Sequence, residues 1–363
     1  MSINEILAPR STESFPSALE YLSSYQKEAK PILEKFFQNK ILQAREISPL
    51  NEKAVERLAE FCQKGKMLRG ALIMLGYELL GGEKREAVIP FSAAYEILGS
   101  AILIHDDIID QSELRRGEPA IHNYYAQDKD SHYGEAMGIT IGDLAHTFAL
   151  EILSNPQNPI SPEARLAAIN HVSQIIQQTT HGEILDINWN NFNSLQEEDI
   201  LKIQKYKTSF YTFSGPLQLG AILAGAQPES LNVFEEYGLT IGLAFQIQDY
   251  ILGIFGQEKI FGKPVDADIK EGKVTLLSFY AFQKANEKQK QFLKKFYGNS
   301  QIGESEIKII RQIFKKTGAE EKARMMAEKL INEGKKAVSK LTTNSSYQKI
   351  FTQIADFVIT RQR

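Results

Sequence analysis

FSAAYEILGSAILIHDDIIDQSELRRGEP, residues 91–119, begins as an almost unbroken apolar run and closes on three aspartates and two arginines. Wound at about 100° per residue, 91–110 forms one helix, and Asp106, Asp107 and Asp110 fall within about 100° of one another on a single face. They sit toward the helix C-terminus, where the macrodipole disfavours negative charge. Left alone, three carboxylates there cost stability. A hard divalent cation offsets that cost. Mg²⁺ takes oxygen ligands, keeps several waters and commonly shares its shell with a substrate phosphate. Arg115 and Arg116, just downstream, suit diphosphate oxygens, because guanidinium binds such groups through paired hydrogen bonds. A solvated helix end with surface ion pairs competes with this, but the apolar "AILI" wall at 101–104 beside the acids argues against it.

Outward from this segment the chain keeps the same helical period. Apolar residues recur three and four apart in 18–38, 52–63, 163–187 and 319–341. No run alternates for long, and no Asn-Gly or Asp-Gly pair signals a hairpin. Breaks fall at 79–86, 154–162 and 224–230, with a looser loop over 255–273, and none is long enough for a domain linker. The expected fold is all-α, a single domain over 1–363 with about 1–18 as a less ordered N-terminal segment.

The totals fit a soluble protein. Of 363 residues 43% are hydrophobic, enough for a core, and a net charge of −3 points to neither nucleic acid nor an anionic membrane. The lone Cys62 excludes an internal disulfide and fits a reducing compartment. No basic start precedes an apolar core, so no signal peptide is expected. The most apolar long stretch is taken to be 213–226, shorter than the roughly 20 residues of a membrane span. A cytoplasmic protein without a transmembrane segment is expected.

Further charged residues fall in apolar settings. Asp249 lies inside "AFQIQDYILGIFG" (244–256), where a lone acid needs a partner; a core Asp capping a neighbouring helix is the alternative. "GKPVDADIKEGKVTLL" (262–277) supplies Lys263, Asp266, Asp268 and Lys273, "GKMLRG" (65–70) places Lys66 and Arg69 three apart, and "YKTSF" (206–210) offers Lys207 and Thr208. Each taken alone reads more readily as solvated surface.

Together these segments resemble the trans-prenyl diphosphate synthase family, the polyprenyl synthetases. "DDIIDQSELRRGEP" is similar to the family's first aspartate-rich motif, DDxxD followed by S-x-x-R-R-G-x-P, and is highly specific. "GITIGDLAHTFALEIL" (138–153), "GKMLRG", "KT", "FQIQD" and "FGKPVDADIKEGKVTLL" match further motifs in the family's order, from about residue 20 to the C-terminus. The resemblance implies an isoprenoid-synthase-type helical bundle around a deep central cavity, a homodimer, and Mg²⁺-dependent condensation of isopentenyl diphosphate with an allylic diphosphate. It assigns Asp106, Asp107, Asp110 and Asp249 to Mg²⁺. It assigns Arg115, Lys207, Thr208, Gln246, Lys263 and Lys273 to the allylic diphosphate and its surroundings. Lys66, Arg69 and Arg116 fall to isopentenyl diphosphate. His105 is expected as a packed or supporting histidine, and His122, His132, His146, His171 and His181 carry no role.

The chain departs from the family pattern in places. The second motif, typically DDxxD, here keeps Asp249 but has Tyr250 and Gly253. Gly99 stands where a histidine ligand of isopentenyl diphosphate is common, Gly70 where proline is usual, and Glu183 where glutamine is common. Tyr250 and Gly99 raise the alternative of a weakened or inactive regulatory subunit of a heteromeric synthase. Product length is set by side chains below the first motif. Ala101, five residues before Asp106, and Ile102 leave that turn open where short-chain synthases have a bulky aromatic; Leu98 and Tyr95 further back can close it. A twenty-carbon product, geranylgeranyl diphosphate, or a longer one is expected.

Overall fold

The computed structural model describes residues 17–188, 195–256 and 266–360. The chain winds as α1 (Ala18–Ile47), α2 (Pro49–Gln63), α3 (Leu68–Leu79) and α4 (Arg85–Ile109), then a two-residue hairpin, β1 (Leu114–Arg115) and β2 (Glu118–Pro119). It continues through α5 (Ile121–Ala126), α6 (Ser131–Ser154), α7 (Pro162–Asn188), α8 (Glu197–Gln204), a π-helical segment (Lys205–Ser214) and α9 (Gly215–Leu223). A 3₁₀ turn (Pro228–Ser230) leads into α10 (Leu231–Phe255), followed by α11 (Ala267–Glu271), α12 (Leu276–Lys284), α13 (Glu287–Phe296), α14 (Glu304–Lys316), α15 (Ala319–Leu341) and α16 (Ser345–Thr360). The fold is all-α, as the spacing predicts. The N-terminal segment expected to be less ordered lies almost wholly outside the described residues.

Local chemistry sets the helix ends. Ser48 caps α2 by accepting the Asn51 N–H, with Pro49 at the first helical position, where its missing donor costs nothing. Asp130 caps α6 through the Tyr133 N–H at 2.8 Å. The breaks at 79–86, 154–162 and 224–230 separate α3 from α4, α6 from α7 and α9 from the 3₁₀ turn.

Two findings differ from the sequence expectations. The stretch at 213–226 is not the most apolar long one: α4, α6 and the run Pro228–Phe255 are each long and apolar enough to cross a membrane by length and composition. In α4 that window is 83% buried inside the fold, so its composition is that of a central helix walled by α3 and α6. The second is the hairpin. Arg116 and Gly117 both take positive φ, 58° and 80°, the backbone of a two-residue turn whose twist matches paired strands. An arginine gives no sequence signal for that.

Three apolar clusters divide the interior. The largest joins α1–α4 to α6, α9, α10 and α16; a second packs α10 against α12, α14 and α15. The third is small: Ile175, Phe210 and Tyr211, with Ile102, Tyr206 and Leu239 packed on it, where α4, α7, the π segment and α10 converge. It reaches α4 at Ile102, about one helical turn before Asp106.

Candidate active site

The C-terminal end of α4 carries the first-motif acids, and Asp110 is its cap residue. They do not play one part. Asp107 is fully buried and takes a bidentate contact from Arg115, whose Nε lies 2.8 and 3.0 Å from its two oxygens. Asp106 takes a single Arg115 contact at 3.1 Å and, with Asp110, faces a shared cluster with Glu183 of α7, where one carboxylate oxygen from each lies within 4.8 Å of the other two. Asp249, on α10, is not part of that cluster.

Lys207 stands at the centre. Its Nζ lies 3.2 Å from Asp106, 2.9 Å from Glu183 and 2.7 Å from Asp186. Lys273 bridges Asp110 and Asp186, with Asp186 at 3.1 Å and Glu271 at 3.8 Å. Lys207 reaches this position because it belongs to the π segment, an insertion common at functional sites. Glycines admit it: a Cβ on Gly182 would lie 2.1 Å from the Lys207 backbone nitrogen. That contact sets Glu183 and Asp186, on the same α7 turn, against the lysine.

The electrostatics follow from burial and pairing. Burial works against the charge of Lys207, but Asp106, Asp110, Asp186 and Glu183 outweigh it and hold the ammonium firmly protonated. Burial raises Asp186, yet Lys207 and Lys273 hold its carboxyl below the usual range. Glu183 goes the other way: burial, opposed by Lys207 and reinforced by Asp106, pushes its carboxyl up to about 6. Among the described residues, these ion pairs join six carboxylates, Asp106, Asp107, Asp110, Glu183, Asp186 and Glu271, to three cations, Arg115, Lys207 and Lys273. Clustered oxygen donors, with the buried Asp186 Oδ1 lacking a hydrogen-bond partner among the described residues, fit hard divalent cations.

A second basic group lies beyond the hairpin turn. Arg116 donates to the Phe61 carbonyl at 2.8 Å and lies over the Phe61 ring. Burial, then the neighbouring Arg69 and Arg115, lower its pKa against a smaller opposing pull from Glu96. Arg69 stacks on Tyr211, 4.5 Å from the ring centre, and reaches Thr212 Oγ1 at 3.4 Å. Lys66 lies 5.4 Å from the Phe357 ring of α16. The three described non-glycine residues with positive φ, Met67, Gln111 and Arg116, all fall in these motif segments, where strain is commonly stored.

The remaining sequence candidates are placed as follows. Thr208 is buried in the π segment, and Gln246 is half-buried on α10. Lys263 lies outside the described residues. Ala101, Leu98 and Tyr95 are buried in the largest core cluster, and the Tyr95 hydroxyl donates to the Tyr211 carbonyl at 3.1 Å. Only Ile102 of the four product-length candidates joins the small apolar cluster beside the acids.

The departures acquire causes. A Cβ on Gly99 would lie 3.3 Å from Arg69 Cδ, so Arg69 fills the space beside this glycine. Gly70 donates its N–H to Glu96 at 2.7 Å, a bond that proline cannot make. Tyr250 is buried with Asp186, Lys207, Lys273 and Asp268 as its charged surroundings, and burial raises its phenol pKa. The second motif has Tyr250 in place of a carboxylate, and Glu183 of α7 adds one to the first-motif acids. Sequence reasoning missed Asp186 altogether. Its signal was present: Glu183 and Asp186 are three apart, hence on one face, in "HGEILDI".

With this geometry in hand, comparisons with known proteins are direct. Residues 51–315 match the polyprenyl synthetase family. A geranylgeranyl diphosphate synthase of Sulfolobus acidocaldarius is 30% identical over 304 residues, 84% of this chain and 89% of that protein. A short chain isoprenyl diphosphate synthase of Methanothermobacter thermautotrophicus is 33% identical over 299 residues, 82% and 87% of the two chains. The crystal structure of a geranylgeranyl pyrophosphate synthase from Corynebacterium glutamicum, complexed with isoprenyl diphosphate and magnesium, superposes with a TM-score of 0.87 at 28% identity, covering 94% of this chain and 99% of that one. The fold is that of an all-α prenyltransferase. The chain belongs to the polyprenyl synthetase family.

Proposed function

We propose that this prenyltransferase condenses isopentenyl diphosphate with an allylic diphosphate, in a Mg²⁺-dependent reaction, to geranylgeranyl diphosphate or a longer product. The observation that carries it is the cluster of Asp106, Asp110 and Glu183 around Lys207, with the Ile102–Phe210 apolar cluster beside it on the same helices. The names of the matched relatives, geranylgeranyl and short chain isoprenyl diphosphate synthases, support the same chemistry.

In this reaction the allylic carbon–oxygen bond breaks, the isopentenyl alkene forms the new carbon–carbon bond, and diphosphate and a proton leave. Asp106, Asp110 and Glu183 would hold divalent ions, which when bound neutralise the leaving diphosphate. Lys207, Lys273 and Arg115 present positive charge to the allylic diphosphate, and Asp107 aims Arg115. Arg69, Arg116 and Lys66 take the isopentenyl diphosphate. Ile102, Ile175 and Phe210 exclude water from the developing cation. Asp249 and Lys263 are carried over from the family pattern as a further metal ligand and an anion ligand. A binding subunit without turnover is not favoured, since Glu183 supplies the charge that Tyr250 does not.

The working unit we propose is a cytoplasmic homodimer. Ile139 and Leu150 of α6 and Leu166, Ile184 and Ile187 of α7 are all at least half exposed, an apolar surface that a second copy would cover. Sedimentation at the monomer mass would remove that element.

Incubation of purified protein with Mg²⁺, labelled isopentenyl diphosphate and farnesyl diphosphate, followed by chromatography of the dephosphorylated alcohols, tests the activity. A single geranylgeraniol peak is expected. A ladder of longer alcohols moves the floor beyond Tyr95, and no product with any allylic primer sinks the proposal.

Glu183 gives this site a pH signature. Mg²⁺ affinity should fall as the pH drops through about 6, where this carboxyl takes up a proton. Because its folded pKa is raised, the group's contribution to metal-free stability is present below the unfolded value of 4.5 and lost as pH rises through about 6. Glu183→Gln should therefore raise the metal-free Tm at pH 8 while weakening Mg²⁺ binding roughly tenfold. Calorimetric titration with Mg²⁺ at pH 5.5 and 8 reads this; equal affinity of variant and wild type at pH 8 would exclude Glu183 as a ligand.

A further inference from the structure

A second set of metal-ligating side chains lies where α4 crosses α6. His105 comes from α4. Asp143 and His146 come from α6, three residues apart and so on one face of that helix. One ligand atom from each of the three lies within 4.8 Å of the other two. His105 Nε2 is 3.7 Å from Asp143 Oδ1, and the two imidazole rings lie 5.6 Å apart at 28°.

The backbone is shaped for this meeting. A Cβ on Gly142 would lie 2.2 Å from His105 Nε2, so the ring rests directly on the α6 backbone. His146 Nδ1 lies 3.1 Å from the Gly142 carbonyl. Donation there fixes the tautomer and leaves Nε2 with its lone pair, the outer bond that typically accompanies a metal-ligating imidazole. His105 Nε2 lies 3.2 Å from the Ile139 carbonyl, which sits inside α6 where the helix ladder already uses it. Giving up that contact to an ion orphans no backbone group.

We propose that His105, Asp143 and His146 form a transition-metal site, separate from the carboxylate rim, which takes Zn²⁺-class ions and clamps α4 to α6. Two imidazoles and one carboxylate select borderline divalent ions over Mg²⁺, which prefers oxygen donors. The remaining positions fall to water, because the Asp143 side chain is 71% exposed. His105 directly precedes Asp106, so an ion here pins the end of α4 on which the acidic cluster depends. Asp143 and His146 lie on the same stripe of α6 as Ile139 and Leu150, which places the ion beside the proposed pairing face.

The test is a CoCl₂ titration of untagged protein in excess Mg²⁺, which fills the carboxylate rim, read by the visible d–d spectrum. We expect one Co²⁺ per chain, with absorption stronger than that of the aqueous ion. His146→Leu should abolish the band and weaken binding roughly tenfold or more, whereas Asp106→Asn should retain it. Asp143→Ala, at an exposed position, gives a second reading if His146→Leu loses its helical circular dichroism. Wild-type Co²⁺ binding in both His146→Leu and Asp143→Ala overturns the proposal. So does a band lost in Asp106→Asn, which would place the ion at the rim, or the lack of any protein-bound Co²⁺ spectrum.

Discussion

Lys207→Ala should lower kcat/KM by roughly 10²–10³-fold or more and destabilise the metal-free protein by about 3–5 kcal/mol. The two losses share one cause. Lys207 is the only side chain of the network that touches Asp106, Glu183 and Asp186 together. Asp186 is almost completely buried, with 1% of its side chain exposed, and among the described residues Lys273 is the cation it keeps when Lys207 is gone. Removing one partner of a buried pair leaves the desolvation cost of the other uncompensated. Divalent ions supply replacement charge, so saturating Mg²⁺ should restore much of the stability but little of the turnover, because the ammonium itself is meant for the diphosphate. Urea unfolding with EDTA and with Mg²⁺, beside product formation, separates the two. Equal unfolding midpoints for variant and wild type in EDTA would show that Lys207 does not hold the carboxylates together.

Asp106 and Asp107, adjacent in sequence, should give different phenotypes. Asp107→Ala removes the bidentate partner of a buried Arg115 and should cost about 3–5 kcal/mol whether or not metal is present. Its activity loss follows from a misplaced Arg115. Asp106→Ala removes one of three clustered metal donors and single contacts to Arg115 and Lys207, both of which keep other carboxylate partners, so metal-free stability should fall less than in Asp107→Ala. Turnover should fall roughly 10²–10³-fold, with a large rise in the Mg²⁺ needed for half-maximal rate. Paired urea and Mg²⁺-dependence curves for both variants decide this. Matching curves would mean that the two acids act as one group after all.

Much of this was legible in the sequence. The apolar period of α4 and the charge cluster at its end are local features, as are the breaks at 79–86 and 154–162. The position of Lys207 was not, because "KYKTSFYTFS" reads as ordinary helix and becomes π-helical only in its packing against Gly182, Gly238 and Gly242. Asp186 was hidden for a related reason: its importance comes from two lysines distant in sequence, Lys207 and Lys273. The split between Asp106 and Asp107 also escaped, since a helical wheel gives both the same face; what separates them is the full burial of Asp107 under a bidentate Arg115, while Asp106 has one Arg115 contact at 3.1 Å and a second partner in Lys207. Ala101 and Leu98 were chosen by their distance from Asp106 along one helix. Lining an apolar site depends on which neighbours arrive, and Phe210 and Ile175 arrive at Ile102.

The turn at Arg116 and Gly117 has a consequence of its own. Arg115 and Arg116 are consecutive, so one peptide unit keeps their Cα atoms about 3.8 Å apart. The left-handed backbone sends one guanidinium back to Asp107 and the other toward Phe61. In the proposed reaction each serves a different polyanion, and those two anions would repel each other in free solution. Their separation is then metered by a covalent spacer of fixed length rather than by side chains that can drift. Such a spacer permits substitution but not a change of length. One residue inserted between the arginines would uncouple the two seats while leaving each intact, and the enzyme would bind both partners without joining them.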